Sequence, residues 1–199
     1  MGFKDIKRNY IISAAKDLFL ASSIQEVTIK DVSKASGVGE ATIYRYFSTK
    51  ENLATEVSIA LQKEIVASYI QLDALATGYQ SIESFFNLFF NVYVSHPDYF
   101  RYLTRFDSLY LPTISGSEYP NALDRFKEFF LKSYQTGLRD GTVRPISNPE
   151  VFYYATTHSL LELCKKLSAL DSALPQDKAI NKEEEVKAVI NVFLAYLKK

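Results

Sequence analysis

The 199-residue chain carries 23 Lys/Arg against 23 Asp/Glu, so bulk charge gives it no pull toward nucleic acid or an acidic surface. With 47% hydrophobic and 23% charged residues and no apolar run of 18 or more, it is neither a disordered chain nor one with a membrane-spanning helix. A single cysteine, Cys164, excludes an internal disulfide and a cysteine-cluster metal site.

The opening segment, MGFKDIKRNY, lacks the apolar core of a signal peptide, which places the expected site of action in the cytoplasm. Ile6 stands where a myristoylation motif would want Ser or Thr. Up to Leu53 the chain has eight Lys/Arg and six Asp/Glu, and beyond it 15 and 17. That mild asymmetry means any basic patch must arise from geometry.

Helical spacing dominates the chain. Ile11, Ile12, Ala15, Leu18 and Phe19 mark a first amphipathic helix ending near Ser22-Ser23. Thr28 is placed to cap a second helix with Ile29, Val32 and Ala35 on its apolar side. Ser36 to Gly39 breaks it, with Gly37 suited to the left-handed closing position. A short third helix covers Ala41 to Phe47, and a long fourth runs from about Lys50 into Leu75. Ile82 to Val94 forms the next, closed by His96-Pro97, and Asp98 is expected to cap another through Leu109. Pro112 to Pro120 reads as a loop, and Leu123 to Leu138 as a helix ended by Gly137 to Gly141. Asn148-Pro149 starts a helix reaching Leu170. Asp171 to Asn181 is a polar connector, and Lys182 to Lys198 is the last helix, its Glu183 to Glu185 run a solvated start. The expected fold is all-α.

Two short helices joined by a glycine-containing turn, followed by an aromatic third element, fit a DNA-binding helix-turn-helix. Val32, Ala35, Val38, Ile43 and Phe47 are expected to form its small core. The other face of the third helix, Glu40, Thr42, Tyr44, Arg45 and Tyr46, then points outward, and its N-terminal amides favour a phosphate. Glu40 either accepts from a cytosine amine or simply sits at a helix start where an acid is favoured.

The run from Thr28 to Val32, through Ser36-Gly37-Val38 and Ala41 to Phe47, to Lys50-Glu51-Asn52-Leu53 resembles the signature of the tetracycline-repressor (TetR) family. Ile12 to Ala15 and Leu18-Phe19 are similar to that family's first helix. The likeness covers about the first quarter of the chain, and beyond it only the helical layout agrees. Three positions depart from the pattern: Ser23 replaces a glycine, Gly39 replaces the usual serine cap, and Ala41 replaces another glycine.

The resemblance implies that Thr28, Tyr46 and Lys50 contact phosphates while Lys30, Thr42, Tyr44 and Arg45 lie nearest the bases. Chemistry agrees, since lysine and a tyrosine hydroxyl bind phosphate and arginine grips guanine bidentately. The implied domains are a helix-turn-helix head over 1–53 and a helical effector-binding and dimerisation domain over 54–199.

The second domain is rich in rings, most of which are expected in the core. A family-like cavity would be lined from Phe86, Phe89, Phe90, Tyr93, Tyr102, Phe106, Phe126, Phe130, Tyr154 and His158, and would take a small apolar or aromatic effector. The last two long helices would pair with their mates in a homodimer through Ala155, Ser159 and Leu163 and through Val186, Val189, Ile190, Phe193 and Leu197.

The resemblance thus implies a regulator, repressing in the family's commoner mode, with a double-stranded palindromic DNA operator and an effector as partners, no cofactor, no metal and no membrane. An enzyme is not expected, because two histidines and one cysteine leave little to build a catalytic set. The rival reading is a helical small-molecule-binding protein without DNA activity.

Overall fold

The computed structural model of the chain describes residues 3–69, 76–109, 119–169 and 179–199. Among them the order is α1 (Phe3–Ala21), α2 (Ile29–Ser36), α3 (Glu40–Phe47), α4 (Lys50–Tyr69), α5 (Gly78–Ser95), α6 (Pro97–Asp107), α7 (Tyr119–Asp140), α8 (Pro149–Ser168) and α9 (Lys182–Leu197). The expected all-α class is found; the described residues hold no strand beyond one isolated Val143–Lys198 bridge. The ends assigned to the fourth helix and to the helix reaching Leu170, and most of the Pro112–Pro120 loop and the Asp171–Asn181 connector, lie outside the described residues.

Local chemistry sets several boundaries as the sequence implied. Thr28 caps α2 through a capping box with Asp31, and Gly37 closes it at φ 64°. Asn148 caps α8 by accepting from the Val151 amide at 3.0 Å, with Pro149 in the first turn. Two boundaries differ. The sixth helix begins at Pro97, not after an Asp98 cap, because proline needs no amide partner at a helix start. The seventh begins at Tyr119 rather than Leu123 and takes Pro120 into its first turn for the same reason.

Gly137 does not end α7 but lies inside it. A Cβ on Gly78, at the start of α5, would fall 2.0 Å from the Gly137 nitrogen, so the two glycines let the backbones of α5 and α7 touch. Asp140 reinforces that crossing: its carboxylate accepts from the Gly78 amide at 2.8 Å and from the Thr142 amide and hydroxyl.

Contacts divide the chain into two compact units, one within Met1–Glu64 and Arg101–Ala122, the other within Ile65–Phe100 and Leu123–Lys199. In the first, Ile11, Ala15 and Phe19 of α1 are buried with Ile24, Val32, Ile43 and Leu53. Ion pairs Arg8–Glu56 at 2.6 Å and Lys16–Glu64 at 2.8 Å run along the α1–α4 side.

The second unit is built on rings. Phe85 packs against Phe86, Phe130 and Tyr153 with centroids 5.4–6.0 Å apart, and Phe86 meets Phe193 of α9 at 5.8 Å. Such edge and tilted contacts add to the burial of apolar area. The chain end is fastened here: the Arg144 amide donates to Leu197 O at 2.9 Å, and the Arg144 guanidinium lies 4.1 Å from the Tyr196 ring.

Gly78→Ala should force α5 and α7 apart and destabilise the chain by about 1–3 kcal/mol or more, as overpacking does. Urea unfolding followed by helicity measures this, and wild-type stability would contradict the crossing.

Candidate nucleic-acid interface

Helix α2 turns Ile29, Val32 and Ser36 inward, three positions at i, i+3 and i+7. Ala35, expected in this core, is exposed instead; Ser36 fills the inward position. Its hydroxyl can go there because both of its roles are met: it donates to Val32 O at 2.7 Å and accepts from the Val38 amide at 3.3 Å. That second bond ties the turn to α2, and Val38 is buried, as are Ile43 and Phe47 of α3.

With Ile43 and Phe47 inward, the rest of the eight-residue α3 faces out. Tyr44 is 49% exposed, Glu40 and Arg45 are exposed, and Thr42 and Tyr46 are half-buried. Gly39 caps α3 without a side-chain bond, so the amides of Glu40 and Ala41 lead the helix ahead of its first bonds, Thr42 and Ile43 N–H to Gly39 O. Lys30 is exposed on α2. The structure therefore puts Lys30, Glu40, Thr42, Tyr44 and Arg45 on one pair of short helices, Lys30 and Glu40 in their first turns.

Two expected phosphate ligands already have work inside the chain. The Thr28 hydroxyl donates to Asp31 Oδ2 at 2.6 Å and accepts from the Asp31 amide at 3.2 Å. The Lys50 ammonium donates to Gln25 O at 3.1 Å and Val27 O at 3.0 Å, bracing the segment between α1 and α2 against the start of α4. An ammonium has three donors, so one is left for a phosphate. Nothing in the sequence around Lys50 signalled the two carbonyls, because they lie more than 20 residues away.

Other residues near the head had no sequence signal. The Arg105 guanidinium of α6 donates to Ser22 O, and Gln25 Nε2 lies 3.5 Å from Ser108 Oγ, so the turn after α1 is tied at two points to the end of α6. Arg8 reaches over the Phe47 ring at 5.7 Å.

The rings expected to line one cavity are distributed between the units. Tyr102 and Phe106 lie in the first, stacked on each other at 5.9 Å, and the Tyr102 hydroxyl donates to Ala54 O at 2.6 Å. Phe86 and Phe130 are fully buried in the second, Tyr93 is buried there and Phe89, Phe90 and Phe126 are half-buried. Lys187 Nζ sits 4.4 Å from the Phe90 ring. Tyr154 and His158 are exposed on α8, Tyr154 within 3.5 Å of Lys127 Nζ.

Burial raises the Tyr153 phenol to about 12 and the Cys164 thiol to about 12, which keeps both neutral. Among the described residues, no group of three or more His, Cys, Asp and Glu could hold a metal ion, and no helix is long and apolar enough to cross a membrane.

The Asp31 carboxyl is held below its ordinary range, first by the Thr28 hydroxyl and then by the Thr28 amide. A lowered folded value means that this contribution is complete above the ordinary carboxylate pKa of about 3.9 and is lost as pH falls through the lowered value. Thr28→Ala should cost about 1 kcal/mol at neutral pH, as cap losses do. The gap from wild type, read by denaturant unfolding, should shrink below about pH 4.

Residues 11–57 match the family profile described as bacterial regulatory proteins, tetR family. The HTH-type transcriptional regulator AlkX of Mycobacterium tuberculosis is 29% identical over 85 residues, covering 42% of this chain and 40% of that protein. The HTH-type transcriptional repressor KstR2 of Rhodococcus jostii is 23% identical over 154 residues, covering 71% of this chain and 70% of that one. The fold is shared with the fatty acid degradation regulator FadR from Bacillus halodurans, at a TM-score of 0.70 and 17% identity over 98% of this chain and 96% of that one. The profile match spans the buried and exposed positions of α1 to α3, and beyond it the likeness to solved structures is one of fold.

Proposed function

We propose that the chain is a homodimeric repressor that holds a palindromic operator and leaves it when a small, largely apolar effector binds. The carrying observation is α3 itself: Ile43 and Phe47 are buried while Tyr44 and Arg45 project outward beside leading amides, the arrangement that inserts a helix into a major groove. Tyr44 and Arg45, with Thr42 and Lys30, are read as base contacts, and Tyr46 with the third donor of Lys50 as phosphate contacts. The Thr28 hydroxyl is committed to the cap, so a phosphate near α2 would meet backbone amides instead. Repression is favoured by the relative named above as a repressor.

Pairing of two chains gives two heads about one DNA turn apart, which compensates for the near-neutral total charge. The surface for that pairing differs from the sequence expectation. Val186, Ile190 and Leu197 are buried within the chain, because α9 packs against α5 and α8. The outward faces are Val151, Tyr154, Ala155, His158 and Ser159 on α8, and Ala188, Val192 and Ala195 on α9. Val151 at 60% and Val192 at 66% exposure are large apolar groups in water, and mutual burial in a four-helix contact would cover them.

The effector reading draws on the ring-rich second unit and on the Tyr102–Phe106 pair. A helical binding protein without DNA activity would carry the same rings, but it gives no reason for α3.

Purified chain should retard DNA from its own upstream region in a mobility shift, with affinity falling steeply as salt rises. Tyr44→Ala and Arg45→Ala should each lower specific affinity tenfold or more, the loss expected for a base contact of about 1–3 kcal/mol. No shift at low salt sinks the regulator reading. Val192→Asp should convert a dimer to monomer in sedimentation and cost operator affinity; a dimer unchanged by it moves the interface elsewhere.

A further inference from the structure

Buried hydroxyls on the described helices are generally satisfied by the carbonyl one turn back. Ser36 donates to Val32 O at 2.7 Å, Thr55 to Glu51 O at 3.1 Å, Ser133 to Phe129 O at 2.8 Å and Thr157 to Tyr153 O at 2.7 Å. Ser58 on α4 and Ser168 near the end of α8 depart from this pattern, and Ser58 does so beside a second unbonded group. Ser58 is fully buried, yet its Oγ has no hydrogen-bond partner among the described residues. The carbonyl it would use, that of Ala54, accepts from the Tyr102 hydroxyl of α6 at 2.6 Å instead. One turn further along, Gln62 is 2% exposed, and its Oε1 has no partner among the described residues.

Ala54, Ser58 and Gln62 follow one another at steps of four, so they share one face of α4, within the first unit. Leaving an amide oxygen and a hydroxyl unbonded in the interior costs free energy, and native structures rarely tolerate it twice in adjacent turns.

The chemistry of the pair defines what would complete it. An amide oxygen only accepts, so the partner of Gln62 Oε1 must donate; the Ser58 hydroxyl can donate or accept. A hydroxyl group meets both demands with one atom. A cation is disfavoured, because the carboxylates of this part of α4 are already paired, Glu56 with Arg8 and Glu64 with Lys16. The neighbouring Val57 and Leu61 are buried and apolar, which suits an apolar body behind the polar head.

We propose that Ser58 and Gln62 are the recognition point for a neutral, hydroxyl-bearing apolar effector, with Tyr102 as a positioning residue that withholds the Ala54 carbonyl from Ser58. The proposal rests on the effector-release reading above and names the chemistry of that ligand.

The test uses the full chain and two isomeric probes, 1-octanol and heptyl methyl ether, which differ in having and lacking a donor. Octanol should raise the melting temperature of the wild type and release it from operator DNA, while the ether at equal concentration does neither. Ser58→Ala and Gln62→Met should each require at least tenfold more octanol for both effects. Their unliganded melting temperatures should match or exceed that of the wild type, since each removes a buried atom without a partner. Tyr102→Phe should also blunt the octanol response, because Ser58 can then bond to Ala54 O.

Equal action of alcohol and ether, no rise with octanol, or variants that respond as the wild type does would each overturn the proposal. So would variants that melt several degrees lower, since that would mean both side chains serve only the fold. The melting assay needs no DNA, so a chain that binds octanol as expected but shifts no operator indicts the regulator reading alone.

Discussion

Burial of Ile43 and Phe47, one turn apart on an eight-residue helix, is the constraint from which the rest of the DNA-binding head follows. A helix that short is marginal by itself and takes its stability from packing. Once those two side chains are committed inward, the 100° step per residue leaves Tyr44 and Arg45 no choice but to face out. The buried side is met by Val32 from α2 and Val38 from the turn, and Ser36 bonds both. The outward face of α3 is therefore a consequence of a small core, and its precision depends on that core being filled.

The surroundings of the head supply stiffness through polar groups rather than more apolar area. Lys50 gives two donors to carbonyls of the segment before α2, and Arg105 gives another to Ser22 O. Charge-assisted bonds of this kind fix a loop whose own side chains are mostly outside the core. The second unit works differently. Its interlocked rings bury large areas with few rotatable bonds, and a glycine pair lets two helix ends approach to backbone contact.

The two units also differ in how well the sequence foretold them. Ile29 and Val32, the Thr28 cap and the Gly37 closure could be read directly, since each depends on neighbours within one or two turns. Ala35 could not be told from Ser36, because both lie within one turn of the apolar stripe and hydrophobicity alone prefers alanine. The serine won because its hydroxyl found an acceptor in α2, Val32 O, and a donor in the turn, the Val38 amide. Gly137 looked like a helix stop by composition, but the reason for it is Gly78, 59 positions away. Ser58 and Gln62 sit in an apolar stretch of α4, where polar residues at a four-residue step are the one local signal of their shared face.

The sequence by itself determined the all-α class, most helix limits, the helix-turn-helix and the set of side chains on the outward face of α3, because periodicity, capping and turn chemistry are local. Tertiary structure decided what those stripes and charges face. An apolar stripe on α9 carries no address, and packing against α5 and α8 turned Val186 and Ile190 inward while leaving Val192 exposed. Lys50 became a brace as well as a cation because two distant carbonyls lie within reach. Tyr102 took the Ala54 carbonyl and left Ser58 unbonded, a competition between helices that no single segment contains.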